Sequence, residues 1–232
     1  MITLYDLAAA DPSVRFSPYC WRIKMALAHK GLDFETVPVR FTEKDKIAFS
    51  GQGLVPVIVD NDNDGKVVSD SWTIAGYLEE TYANAPLLFP NGTAGPRFIK
   101  HWMERQVQPA ILFVILEDLF ANIDDGDKPY FRESREKRFG RPLEAVMAES
   151  DAARERLEQA VVPLAVTLKE QSFVGGEAPD YSDFIVMGAF MWGRCASAKF
   201  TIPGGDPVAA WFERMLDLHD GLARRAATAK PS

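Results

Sequence analysis

Residues 17 to 20 read Ser-Pro-Tyr-Cys and lie between a strand-like opening, Ile2 to Leu7, and an amphipathic segment. This placement constrains the chain more than any other feature. Proline lacks an N–H and has a fixed φ, which suits the first turn of a helix. Serine just before it is a preferred N-cap. The chain is therefore expected to turn from strand into helix at Ser17, with its hydroxyl at the positive end of the helix dipole. At neutral pH a serine hydroxyl is a poor nucleophile without a base. It can, however, donate a hydrogen bond to a thiolate carried by another molecule. Cys20, one turn into the helix, reads as a core residue rather than a nucleophile.

The first 82 residues alternate strand and helix signals. After Ile2 to Tyr5, a helix is expected over Pro18 to Lys30, with Ile23, Ala26, Leu27 and Lys30 on one face and Gly31 ending it. Phe34 to Pro38 is the next strand. Val55 to Asp60 and Lys66 to Ser69 make a hairpin around Asn63, Asp64 and Gly65. Ser71 to Tyr82 is a second helix, with Ile74, Tyr77, Leu78 and Tyr82 on one face. The order β-α-β, hairpin, α is the thioredoxin-like α/β arrangement. Residues 83–96 hold three prolines and two glycines, the composition of a linker. Residues 97–232 read as all-α, with long helices over Phe98 to Phe120 and Pro142 to Gln171, the latter kinked at Pro163. The charged segment Tyr130 to Phe139 lies between them. Further helices begin at Asp180 and run from Pro207 to Leu218. The tail from Arg224 to Ser232 is expected to fray.

Composition narrows the partners. The chain has 232 residues, 47% hydrophobic and 25% charged, with a net charge of −7. That balance argues against nucleic acid or an anionic membrane as the main partner. The longest apolar runs, Ala110 to Leu116 and Phe184 to Trp192, fall short of the ~18 residues of a membrane span. Two cysteines far apart and no secretory signal point to a reduced cytoplasmic protein. His29, His101 and His219 show no metal spacing, so no metal is expected. Asp60, Asp62, Asp64 and Gly65 resemble half a calcium loop, but Ser71 stands at its twelfth position, and the segment reads as a hairpin turn. Asn91-Gly92-Thr93 is a glycosylation sequon without meaning in a cytoplasmic chain. The alternating charges of Arg132 to Arg138 read as a solvated helix face.

Ser17-Pro18-Tyr19-Cys20 resembles the Cys-Pro-Tyr-Cys redox turn with its first cysteine replaced. Together with Val55-Pro56 entering a strand, Asp70-Ser71 opening a helix, and Asp180-Tyr181-Ser182-Asp183 opening another, it makes the chain resemble the serine-type cytosolic glutathione transferases over nearly its whole length. Trp21-Arg22, His29-Lys30-Gly31, Asp70-Ser71-Trp72, Arg132 to Arg141 and Gly175-Gly176 extend the likeness to bacterial lignin β-etherases and related fungal transferases.

The resemblance implies glutathione as co-substrate and a homodimer, with the edge of the α/β domain against the helical domain of the mate. It implies that Ser17 donates to the glutathione thiolate and that the Val55 backbone pairs with the cysteinyl unit, with Pro56 in cis. Asp70 and Ser71 would bind the γ-glutamyl end and Gln52 the glycyl end. Phe16, Tyr19, Trp102, Phe113 and Trp192 are the aromatic candidates for the electrophile's pocket, and Arg135 the candidate for an oxygen or carboxylate. The implied reaction is thiolate attack on a hydrophobic aromatic electrophile, with β-aryl ether cleavage as its sharper form. A non-catalytic carrier of aromatic ligands would show the same glutathione subsite. A glutathione-dependent thiol oxidoreductase is the other alternative, and Ser17 argues against it.

Overall fold

The computed structural model describes residues 1–230. Strand β1 (Ile2–Leu7) alternates buried and half-buried positions, the period-two pattern of a strand packed on one face. It runs parallel to β2 (Phe34–Val39), with Ile2 opposite Phe34 and Leu7 opposite Val39. A parallel pair needs a crossover, and helix α1 (Pro18–His29) supplies it. On its other side β1 pairs antiparallel with β3 (Val57–Asp60), which forms a hairpin with β4 (Lys66–Ser69). The sheet order is β2-β1-β3-β4, and α2 (Ser71–Thr81) packs beside α1. This is the expected thioredoxin-like domain. Strand β3 starts two residues later than the pattern suggests, because Pro56 has no N–H for the ladder. A short 3₁₀ turn, Lys44–Ser50, precedes it.

The second domain comprises α3 (Ala94–Trp102), α4 (Gln108–Asn122), α5 (Lys128–Phe139), α6 (Leu143–Met147), α7 (Ser150–Ala160), α8 (Val162–Glu170), α9 (Tyr181–Ala196) and α10 (Gly205–Gly221). Three long expectations are corrected. The helix expected over Phe98 to Phe120 is interrupted by a π-helical segment, Met103–Val107. Pro109 cannot donate to the carbonyl four residues back, and the wider turn absorbs the lost bond. The stretch from Pro142 to Gln171 is three helices, and Pro163 opens the third instead of kinking a long one. The last helix is longer than expected, but its backbone leaves helical geometry at Leu218, His219 and Asp220. Beyond it the tail is docked, not frayed. Ala223 and Ala229 are buried, Ala229 N–H donates to the Cys195 carbonyl at 2.8 Å, and Arg224 pairs with Asp217 and Glu213. The last two residues of the expected tail lie outside the described residues.

Helix α9 is the centre of the molecule and is buried along almost its whole length. Each large apolar side chain taken out of water contributes ~1.5–3 kcal/mol. The helix begins at Asp180 as expected, and its start is a capping box, in which Asp180 accepts from Ser182 N–H at 2.7 Å and Asp183 accepts from Asp180 N–H at 3.2 Å. Asp183 also accepts from Val174 N–H, Gly175 N–H and Trp211 Nε1–H. Burial pushes its carboxyl up to about 6, against the pull of these donors.

His29 at the end of α1 stacks edge-on against His219 at the break in α10, with ring centroids 5.8 Å apart. Burial holds both pKa values below the ordinary histidine range, and the charge of His29 adds to the effect on His219. Lys30, Glu79 and Asp180 face His29, and Asp220 faces His219. A histidine whose folded pKa is depressed binds protons more readily when unfolded. Its contribution to stability is present above the unfolded value of ~6.5 and is lost as pH falls below it. His219 sits at φ 52°, a region asparagine tolerates. His219→Asn is therefore expected to lose less unfolding free energy than the parent between pH 7 and pH 5, measured by denaturant unfolding. Equal losses would show that the pair does not sense acid.

Candidate active site

Ser17 is the N-cap of α1, and its Oγ accepts the Cys20 N–H at 3.2 Å. That bond uses an oxygen lone pair and leaves the hydroxyl proton for another acceptor. Ser17 is nearly buried, yet it lines a cavity of about 270 Å³ between the two domains. Cys20 is fully buried with its Sγ 3.9 Å from the Tyr5 carbonyl, and burial, with Asp6 adding, pushes its thiol well up. It does not line the cavity, which matches the core role expected of it.

A second recess of about the same volume adjoins this cavity and shares Tyr19, Leu54, Val55 and Glu104 with it. Gln52, Pro56, Asp70 and Ser71 also line it, so the residues expected to bind glutathione come together here, except Ser17, which lines the adjoining cavity. The Val55–Pro56 peptide is cis, as the resemblance implies. Among the described residues, no hydrogen bond engages the Val55 N–H or carbonyl. Asp70 caps α2, its Oδ1 accepting from Trp72 N–H and Thr73 N–H at 3.1 and 3.0 Å. Its backbone lies at φ 71°, ψ 129°, a conformation costing a non-glycine residue ~1–3 kcal/mol. Such strain persists where surrounding contacts hold it. Here the cap bonds do so, aided by Ser71, whose carbonyl accepts the Tyr181 hydroxyl at 2.8 Å from the other domain.

The electrophile candidates divide. Phe16, Tyr19, Arg135 and Trp192 line the cavity at Ser17. Trp102 and Phe113 do not. Trp102 packs against the core, and Phe113 stacks on Phe139 at 5.2 Å and faces a groove between α4 and α7. The cause is the π-helical segment. Eleven residues make about three turns of an uninterrupted α-helix, which would put Trp102 and Phe113 on one face. The inserted wide turn rotates the helix that follows. Glu104, Gln108, Pro109 and Leu112 face the cavity instead. The sequence held one signal for them, Pro109 inside an otherwise helical run.

Two further features shape the cavity. Buried Asp127, at the start of α5, accepts from Phe41 N–H and Thr42 N–H, both at 3.0 Å, and from the Thr42 hydroxyl at 2.6 Å. These bonds bind the loop after β2 to the helical domain and set Phe41 as a wall. On the opposite side, Arg22 is wholly buried in α1. Its Nη1 donates to Glu104 Oε1 at 3.0 Å, and its guanidinium lies 4.7 Å from the centre of the Tyr19 ring. Lys100 holds the other Glu104 oxygen at 2.9 Å. Burial raises the Tyr19 phenol, so it stays protonated and donates to Gln108 Oε1 at 3.3 Å.

The geometry fits what comparison finds. Residues 16–81 match the glutathione S-transferase N-terminal domain and residues 95–224 the C-terminal domain. The chain belongs to the glutathione transferase family. It is similar to glutathione S-transferase Z1 of Arabidopsis thaliana, 40% identical over 72 residues, which are 29% of this chain and 31% of that protein. The chain thus matches about a third of that relative's length. The crystal structure of glutathione transferase GSTFuA3 from Phanerochaete chrysosporium is 25% identical, covering 95% of this chain and 92% of its own, with a TM-score of 0.76. A Ceriporiopsis subvermispora transferase crystallised with glutathione shares the fold, with a TM-score of 0.82 at 20% identity, covering 95% of this chain and 98% of its own.

The Arg22–Glu104 pair gives a direct test of this architecture. Removing one partner of a buried pair strands the other charge and costs ~3–5 kcal/mol. Glu104 keeps some solvent contact, so Glu104→Gln is expected at the low end, about 3 kcal/mol, in denaturant unfolding. A loss below about 1 kcal/mol, the worth of an exposed pair, would show that Arg22 is held by its packing alone.

Proposed function

We propose that this chain is a serine-type glutathione transferase that attacks a hydrophobic aromatic electrophile. One observation carries the reading: Ser17, the unengaged Val55 backbone and the N-terminus of α2 all open onto two adjoining recesses. Glutathione would lie across them. Its cysteinyl unit pairs with the Val55 N–H and carbonyl, a one-residue version of strand addition. Its γ-glutamyl carboxylate takes the first N–H groups of α2 and Ser71, and its ammonium takes the free oxygen of Asp70. Gln52 faces the glycyl end, Lys100 lines the same recess, and the Lys44 side chain passes near Gly53.

The thiol then sits at the N-terminus of α1. Dipole stabilisation of up to ~2 kcal/mol lowers its pKa by somewhat over one unit, at about 1.36 kcal/mol per unit. Ser17 donates its free proton to the thiolate, and the thiol proton leaves to solvent. The sulfur pair forms a C–S bond to the electrophilic carbon, and the leaving group departs with the electrons of its broken bond. In a β-aryl ether, that leaving group is the aryloxide.

The same reading makes the protein a homodimer in the reducing cytoplasm. Its two cysteines are free and buried. Phe49 stands exposed on the α/β domain and Phe98 on α3, and the groove containing Phe113 lies on α4 and α7.

The test is glutathione-dependent turnover of 1-chloro-2,4-dinitrobenzene and of a fluorogenic β-aryl ether, in the parent and in Ser17→Ala. A hydrogen bond to a charged group contributes ~1.5–3 kcal/mol, so kcat is expected to fall roughly tenfold to a hundredfold. Glutathione affinity should hardly change. Unchanged kcat would remove Ser17 from the chemistry. Glutathione binding without turnover of any electrophile would leave a ligand carrier.

A further inference from the structure

We infer that the cavity at Ser17 selects an aromatic anion: an aromatic ring bearing a carboxylate or sulfonate. That this anion is the electrophile rests on the transferase reading, whereas its charge follows from the cavity alone. The protein is acidic, with a net charge of −7, yet the cavity wall is cationic. Arg135 and Arg138 lie three residues apart on α5 and both line it. Neither makes a salt bridge among the described residues. Arg135 is packed against Phe131, with its guanidinium 4.5 Å from the ring centre, and its buried Nε has no hydrogen-bond partner. Two guanidiniums on one cavity wall repel. A bound anion relieves that cost.

Gln108 supplies an independent observation. It is only 6% exposed, it lines the same cavity, and its Nε2 is buried without a partner. The Tyr19 hydroxyl already occupies Gln108 Oε1, which leaves the amide N–H donors at this wall unmet. The cavity's carboxylate, Glu104, is taken by Arg22 and Lys100 and does not neutralise the arginines. Phe16, Leu112 and Trp192 supply the apolar wall for a ring. An uncharged hydrocarbon would fit that wall and leave the donors unmet. An aromatic acid meets both demands.

The pair 1-anilinonaphthalene-8-sulfonate and N-phenyl-1-naphthylamine differs by one sulfonate, and both fluoresce when bound. The parent protein is expected to bind the sulfonate at least about tenfold more tightly than the neutral amine, a difference of ~1.4 kcal/mol. The double variant Arg135→Gln/Arg138→Gln should lose that preference while binding the neutral probe and glutathione within about twofold, which also shows that it is folded. Gln108→Leu should weaken the sulfonate more than the amine. Equal affinity of the parent for both probes would overturn the inference, as would sulfonate binding that the arginine variant leaves intact. Because the readout needs no turnover, charge selection in a protein that transfers glutathione to nothing would sink the transferase reading and keep the anion site.

Discussion

The structure depends on how closely α1 and α9 approach. Gly188 makes the approach possible: a β-carbon there would stand 2.3 Å from the Pro18 carbonyl oxygen and 3.0 Å from the Arg22 side chain. Glycine inside a helix costs about 1 kcal/mol in propensity, and α9 tolerates it at the one place where backbone meets backbone. The first turn of α1, which presents Ser17, therefore rests directly on the central helix of the other domain. The reactive end of α1 is fixed from both sides, by the sheet and by α9.

This burial explains the charged residues inside α1. Arg22 and Lys24 are both buried, and each has an acid supplied from elsewhere. Lys24 Nζ is 2.9 Å from Asp6 on β1 and sits over the Trp21 ring, and Arg22 reaches Glu104. Buried charges need such partners. One of those partners, Glu104, is placed by the π-helical segment that Pro109 imposes. The same distortion points Gln108 into the cavity. A backbone irregularity thus joins the stability of the domain contact to the shape of the pocket.

Much of this was legible in the sequence. Ser17-Pro18 marked the start of α1 because capping and proline geometry are local. The hairpin at Asn63 to Gly65 and the capping box at Asp180 were legible for the same reason. The recess formed by Gln52, Val55, Pro56, Asp70 and Ser71 was reached through resemblance, since its residues are distant in sequence and each alone has a bland reading. What could not be read was non-local or depended on helix phase. A continuous α-helix was the simplest reading of Phe98 to Phe120, and it put Trp102 and Phe113 on the wrong face. The docked tail was missed because alanine and arginine carry no pattern that announces where they pack. Asp127 appeared as one acid among many, and nothing in its neighbourhood shows that it reaches a loop more than eighty residues away.

That reach has a consequence for how the pocket can diverge. Asp127 holds Phe41 and Thr42 through three hydrogen bonds across the domain boundary, and the loop it holds faces the helix that carries Arg135. Two of the three donors are main-chain N–H groups, so a replacement loop must keep the backbone path more than the residues. A segment that reroutes the backbone would leave a buried carboxylate short of donors, and a changed residue at 127 would free the loop. The two stretches form one heritable unit, so new specificities on this scaffold should arise by paired change at this wall or by single changes elsewhere around the mouth.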